Sequence, residues 1–401
     1  MARSPLTLAA LATSAVPELD VVATRAHSRG THGDFDAAVL SVRDGSELIV
    51  RVPRKQSAEN EQSADLVALR ALTTGVRARL PFSVPEFVGQ APAGGTRAIV
   101  YGFLHGDAID AEDLHHNAAL AHSLGRSIAA VHSLPTSFIS DAGLPQQSAD
   151  ECRADTVALI GRAADTGKLP AALLRRWEQA TDDTALWQFA PAVIHGRLSA
   201  DSFLAIDDTV TAVLGWGELQ VGDAARDLNW ILTAHGEGGE TTLSAYTASR
   251  GGGIDRLLAQ RALLYAELEL ARWLLHGVES HDDAIIDDAV HMLDGLVETV
   301  HSHSSTPLSA ATGPILAVDD VEQLLTQTPR AQGAAALRDA ATASSSAMHT
   351  DSYEQSEFEL YAELQNSTAE FSGTSNPATA NAAKRQPADE LATGPIDLPE
   401  R

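Results

Sequence analysis

Between Val193 and Leu228 the chain reads VIHGRLSADSFLAIDDTVTAVLGWGELQVGDAARDL. The stretch has the rhythm of a phosphate-transfer site, yet the positions where that chemistry needs carboxylates hold Arg197, Ser202 and Gly215. Transfer from a nucleotide needs few parts. A carboxylate orients or deprotonates the attacking hydroxyl. An amide and a second carboxylate hold Mg²⁺ against the phosphates. A cation on a strand, itself held by an acid on the neighbouring helix, steadies the α- and β-phosphates.

Such parts must be carried by a sheet and a set of helices, and both are legible. AAVLSV and ELIVRVP are β-rich runs on either side of Asp44-Gly45, a hairpin signal because glycine tolerates positive φ. QSAENEQSADLVALRALTTG predicts a helix with Leu66, Leu69 and Leu72 on one side and Gly75 as its stop. VPEFVGQ and TRAIVYGFL are two further strands flanking the turn APAGG. The order hairpin, helix, hairpin describes an antiparallel sheet carrying one helix, over residues 1–104.

Beyond His105 the periodicity becomes helical. Leu120, Leu124, Ile128 and Val131 form a stripe that Pro135 ends, and Leu264, Leu268, Ala271 and Leu275 form another, closed by Gly277. Ser280 with Asp283 reads as an N-terminal cap for a helix whose stripe is Ile286, Val290, Leu293, Val297 and Val300. Residues 105–302 are therefore a larger helical lobe that contains the 193–228 stretch. The expected fold class is α+β and bilobal. Residues 303–329 read as a linker and one short amphipathic helix, and 330–401 as a disordered acidic tail.

The motifs resemble the aminoglycoside phosphotransferase family, including its macrolide branch, whose fold is protein-kinase-like. That family carries H-G-D-L-x-x-x-N-x-L, then I-D-W, then G-D-P-x-x-D-L. His195, Gly196, Leu198 and Leu204 stand in register with the first motif; Leu214 and Trp216 with the second; Gly222, Asp223, Asp227 and Leu228 with the third. The resemblance covers roughly residues 20 to 300 and implies one large bilobal unit. It places Arg197 where the catalytic Asp belongs, Ser202 at a metal-binding Asn and Gly215 at a metal-binding Asp. Arginine stays protonated in proteins and is no general base, and a hydroxyl is a poor substitute for the carboxylate that Mg²⁺ usually takes. His195, Asp223 and Asp227 remain from the motifs. The resemblance implies that His195 and Asp227 brace the catalytic segment.

In the smaller lobe Arg51 falls at the nucleotide-steadying Lys, with Glu61 and Asp65 one turn apart on the next helix and both placed to pair with it. RAHSRGTHGDFDAAV sits where a glycine-rich phosphate cover belongs, with Gly30 and Gly33 as its trace; His27 and His32 there read as exposed loop residues. Two functional readings follow. The first is a catalytically degenerate phosphotransferase, a pseudokinase with a binding or regulatory role and no cofactor. The second is an active small-molecule phosphotransferase using ATP and Mg²⁺, with Asp201 or Glu218 as displaced acids.

Composition bounds the partners. With 54 acidic and 28 basic residues among 401, the formal net charge is −26. Such a surface repels nucleic acid and anionic lipid. Cys152 is the lone cysteine, so no intramolecular disulfide forms and a reducing compartment is expected. No run of apolar residues is long enough to span a membrane. MARSPLTLAALATSAVPELD imitates a short signal peptide, but its single basic residue and its Thr and Ser content favour a short helix packed on the following domain. The expected location is cytoplasmic. The partner, small molecule or protein, is unnamed by the sequence; residues 351–371, where aromatics interleave with acids, are a candidate protein-binding segment.

Overall fold

The computed structural model describes residues 2–27, 33–233, 237–251, 255–302 and 307–308. Its contacts divide the chain into Met1–Glu322 and Gln323–Arg401, and the second unit lies outside the described residues. The expected tail, the 351–371 segment and the amphipathic helix before it therefore lie outside them too, as do Gly30 and His32.

The amino-terminal region opens on α1 (Pro5–Ala15), a helix as the sequence implied, with Ser4 accepting from the Thr7 N–H and proline in the first turn. Five antiparallel strands follow: β1 (Val21–Ala26), β2 (Phe35–Val42), β3 (Glu47–Pro53), β4 (Phe87–Ala93) and β5 (Thr96–Gly102), in the order β1-β2-β3-β5-β4. Between β3 and β4 run α2 (Gln56–Ala71) and α3 (Thr74–Arg77). The sequence reading missed β1, whose VVATRA is largely exposed and carries no alternating burial to betray it. Gly75 is not a stop. It sits inside α3, and α2 ends four residues earlier, where the Arg77 guanidinium collects the Leu69 and Leu72 carbonyls.

The two faces of the sheet explain the placement of Arg51. Leu48, Val50 and Val52 alternate along β3 into a core shared with Leu8 and Ala12 of α1. Arg51 consequently projects from the opposite face with Ile49, toward α2. Leu66 and Leu69 of α2 and Leu72 at its C-cap enter the main core as expected.

The helical region begins after β6 (Asp107–Ala108) with α4 (Ala118–His132), then α5 (Ser137–Asp141), α6 (Ala149–Asp165) and α7 (Ala171–Asp182). Leu120, Leu124, Ile128 and Val131 are all buried. Short strands then carry the loop segment: β7 (Ala192–Ile194), β8 (Phe203–Ile206), β9 (Thr209–Val213) and β10 (Gln220–Gly222). β7 pairs with β10, and β8 lies between β6 and β9. The chain closes with α8 (Asn229–Thr233), α9 (Glu237–Arg250), α10 (Leu258–Ser280) and α11 (Asp283–His301).

Two expectations are corrected here. Gly277 lies inside α10, which ends at His281 in the left-handed region; a Cβ at Gly277 would stand 2.9 Å from Ile285 and Ile286, so its smallness serves the α10–α11 contact. The cap of α11 is Asp282, whose carboxylate accepts from the N–H groups of Ala284 and Ile285, rather than Ser280 with Asp283. Among the described residues no helix is long and apolar enough to cross a membrane.

Candidate functional site

The 193–228 stretch is built around one buried carboxylate. All of β7 is buried, and His195 and Gly196 follow directly from it. The Asp227 side chain, wholly buried, accepts from the His195 N–H at 2.7 Å and the Gly196 N–H at 2.8 Å. His132 of α4 stands 3.0 Å from the same carboxylate through Nε2, and its Nδ1 is 2.9 Å from the Tyr246 hydroxyl. With a proton on Nε2, His132 donates to Asp227, and Nδ1 is then free to accept from Tyr246. Burial pushes the Asp227 carboxyl up, but the His132 hydrogen bond, the nearby imidazoles and the backbone donors outweigh it and hold the group below the usual range.

His195 is itself fully buried. Its Nε2 lies 3.0 Å from the Leu214 carbonyl oxygen, and its ring is 4.8 Å from that of Trp216. Burial pushes its pKa down, against the attraction of Asp227. The imidazole is therefore neutral at pH 7, donating from Nε2 to Leu214. Gly196 has φ +89°, and a Cβ there would lie 2.4 Å from the Glu218 carbonyl oxygen, so no other residue fits.

Asp223 is committed elsewhere. The buried Arg261 guanidinium meets it through Nε at 2.7 Å and a terminal nitrogen at 3.0 Å, and the Tyr265 hydroxyl donates to it at 3.1 Å. This bidentate pair ties β10 to α10.

Three residues stand at the positions the motif register assigns to chemistry. Arg197 is exposed, and among the described residues it makes no ion pair. Ser202 closes a one-turn helix, Ala200–Ser202: its oxygen accepts from the Ser199 N–H at 3.2 Å, and its carbonyl accepts from Leu214 at 2.8 Å. Gly215 adopts φ +81° ahead of the turn Trp216–Glu218, and a Cβ built on it meets nothing within 4 Å. Asp201 accepts from Ser199 Oγ and is exposed, as is Glu218. Among the described residues no group of three or more His, Cys, Asp or Glu side chains is arranged to hold a metal ion. The Ser202 hydroxyl belongs to its turn and Gly215 has no side chain, so these two positions do not fit a divalent cation.

The sheet supplies the upper wall. Arg51 lies with its guanidinium carbon 4.0 Å from the Phe35 ring centroid, and among the described residues it makes no ion pair. Glu61 is exposed. Asp65 is buried and accepts from the Trp216 N–H at 2.8 Å, so the helix acid grips the segment after Gly215 directly. Burial raises its pKa to about 6, against the pull of Arg51 and the Trp216 hydrogen bond. Beside it the Tyr101 hydroxyl is buried with no hydrogen-bond partner among the described residues, and burial together with the Asp65 charge pushes its pKa up. His27, at the edge of the sequence-predicted phosphate cover, is half-buried with its ring 5.9 Å from Phe103, and Gly33 takes φ +82°.

Motif reading did not single out His132, Tyr246, Arg261 or Tyr265. Their signal was a polar residue on an otherwise apolar helix stripe, which by itself does not say what it holds.

The chain matches the phosphotransferase enzyme family over residues 29–264. Among solved structures it is similar to a macrolide 2′-phosphotransferase from Brachybacterium faecium, at 24% identity and TM-score 0.61, covering 73% of this chain and 98% of that one. A type I macrolide 2′-phosphotransferase matches at 21% identity and TM-score 0.59, covering 73% and 98%. An aminoglycoside phosphotransferase solved with GDP and kanamycin matches at 19% identity and TM-score 0.59, covering 72% and 98%. No curated protein matches the chain. The likeness to these structures is one of fold, a small antiparallel-sheet lobe and a larger helical lobe as in protein kinases. The family match spans more than half of the sequence, and the chain belongs to the phosphotransferase enzyme family.

Proposed function

We propose that this protein keeps the frame of a phosphotransferase and has given up phosphoryl transfer, serving instead in a binding or regulatory role. One observation carries the reading. The structural residues of the motifs are all engaged, Asp227 with His195 and Gly196, Asp65 with Trp216, while the three chemical positions hold a cation, a hydroxyl tied into its own turn and a glycine. Placing Arg197 in the catalytic position and removing a carboxylate at Gly215 makes the cleft less able to hold Mg²⁺ and leaves no base there.

The second reading, an active kinase of a cationic small molecule, is favoured by the acidic body and by the intact brace. It would need Asp201 or Glu218 as its acids, and both are exposed. Thermal unfolding with ATP, in Mg²⁺ and in a chelator, separates the two. Ligand at about a hundred times its Kd stabilises by roughly 2.7 kcal/mol, a shift of several degrees. The proposal expects no Mg²⁺-dependent shift and no phosphate transfer to aminoglycosides or macrolides. Mg²⁺-dependent turnover that disappears when Asp201 or Glu218 is replaced would sink it.

A further inference from the structure

A groove of about 340 Å³ lies where the loop after α3 meets α4 and α9. It is lined by Arg79, Leu80 and Pro81, by Arg126, Ala129, Ala130 and Ser133, and by Ser249. Arg51, Asp65, Arg197, Ser202 and Gly215 do not line it. The volume is at the lower end of small-molecule pockets, about 300–1,000 Å³.

Its charge is the reverse of the protein's. On a chain of net charge −26, exposed arginines such as Arg43 and Arg162 sit against carboxylates. Arg79 and Arg126 are exposed, make no ion pair among the described residues, and share the groove with no acidic side chain. Arg250 lies next to Ser133 but lines a neighbouring pocket with Asp223 and Asp255. A terminal nitrogen of its guanidinium donates to the His132 carbonyl at 2.6 Å and to Ser133 Oγ at 3.0 Å, with no carboxylate partner among the described residues. The C-termini of α4 and α9 bring about half a negative charge each. Against the two full guanidinium charges of Arg79 and Arg126 this leaves the groove positive.

The donor set narrows the ligand. Ser133 and Ser249 give their hydroxyl protons to carbonyls of their own helices, Ala129 and Ala245, at 2.6 and 2.7 Å. The remaining donors are planar guanidinium forks, which suit the oxygens of a phosphate. The platform is also stiff: α4 and α9 meet at Gly125, where a Cβ would lie 2.3 Å from the Thr242 carbonyl oxygen. We propose that this groove is a site for a phosphate dianion, either free phosphate or the phosphate of a small phosphomonoester, held by Arg79 and Arg126.

Calorimetric unfolding of the full chain tests it, with inorganic phosphate, with glycerol phosphate, and with sodium chloride at matched ionic strength. The chloride arm is needed because salt alone screens the repulsion within so acidic a protein. Wild type should gain several degrees in Tm from phosphate beyond chloride. R79A/R126A should lose that excess while keeping the Tm it has without phosphate, and R51A, altered in the cleft, should retain it. A larger excess with glycerol phosphate identifies a phosphomonoester, and a larger one with inorganic phosphate identifies the free ion; either supports the site. The proposal is overturned if phosphate does no more than chloride, if the excess survives in R79A/R126A, or if it vanishes in R51A.

Discussion

Replacing Asp65 by Asn should make the protein respond differently to pH, and the size of the effect follows from where the carboxyl sits. Asp65 is buried between Arg51 and the Trp216 N–H, with a pKa raised to about 6, whereas an unfolded Asp titrates near 3.9. A raised carboxyl binds its proton more tightly when folded, so the contribution is most favourable below the unfolded pKa and is lost as pH rises through 6. The gap of about two pKa units corresponds to about 3 kcal/mol of stability given up at pH 8, of which about 1.5 kcal/mol is lost between pH 5 and pH 8. Asn keeps the acceptor for Trp216 and has no charge to bury. Urea denaturation of wild type and D65N at both pH values isolates the effect, because groups unaffected by the substitution cancel in the difference. D65N should gain about 1.5 kcal/mol on wild type between pH 5 and pH 8. A difference that stays flat within half a kcal/mol over that range would refute the assignment of a desolvated carboxyl bridging the sheet lobe to the Trp216 turn.

Other substitutions probe the same frame. D227A orphans the His195 and Gly196 N–H groups and the His132 donor, and should cost about 3–5 kcal/mol by chemical denaturation; a loss under 1 kcal/mol would mean the brace does not hold the loop. G125A places a methyl against the Thr242 carbonyl oxygen and should cost about 1–3 kcal/mol, read as a lower urea midpoint with an unchanged slope. Because burial keeps His195 neutral, its own contribution to wild-type stability should be complete above pH 6.5 and begin to fall below it as the unfolded histidine takes up a proton, opposite in sign to the Asp65 contribution. H195Q should flatten that acid limb, and an unaltered limb would show that His195 is not its source. G215D has open space for its carboxylate and a backbone that costs about 1–2 kcal/mol for a side chain. Combined with R197D and S202N it should restore a Mg²⁺-dependent rise in Tm with ATP, and the absence of any rise would show that more than these three positions has been lost.

Much of this was determined by the sequence alone. Period-two alternation along ELIVRVP and the Asp44-Gly45 turn specify a hairpin whose β2–β3 register then places Arg51 opposite Ala37. Four-and-three spacing specifies α4 and α11, because one buried stripe suffices to orient a helix. The register of three motifs singles out His195, Arg197, Ser202, Gly215, Asp223 and Asp227 from residue types and spacing alone. Local signals misled where a glycine had a tertiary reason: Gly277 reads as a helix stop, but the constraint on it is the approach of α11. β1 escaped notice because an exposed edge strand has no buried face to impose a pattern.

What only the tertiary structure decided is which acids spend their charge on one another's neighbours. Asp65 and Glu61 are equivalent by spacing; burial against Trp216 takes Asp65 and leaves Glu61 exposed. Asp223 and Asp227 lie four residues apart, yet one is ion-paired with Arg261 from α10 and the other is hydrogen-bonded by His132 from α4 and two backbone N–H groups. Periodicity reports the side on which a residue is buried. Hydrogen bonds between residues 31 to 151 positions apart depend on how the elements are packed, and that packing assigned each carboxylate its partner.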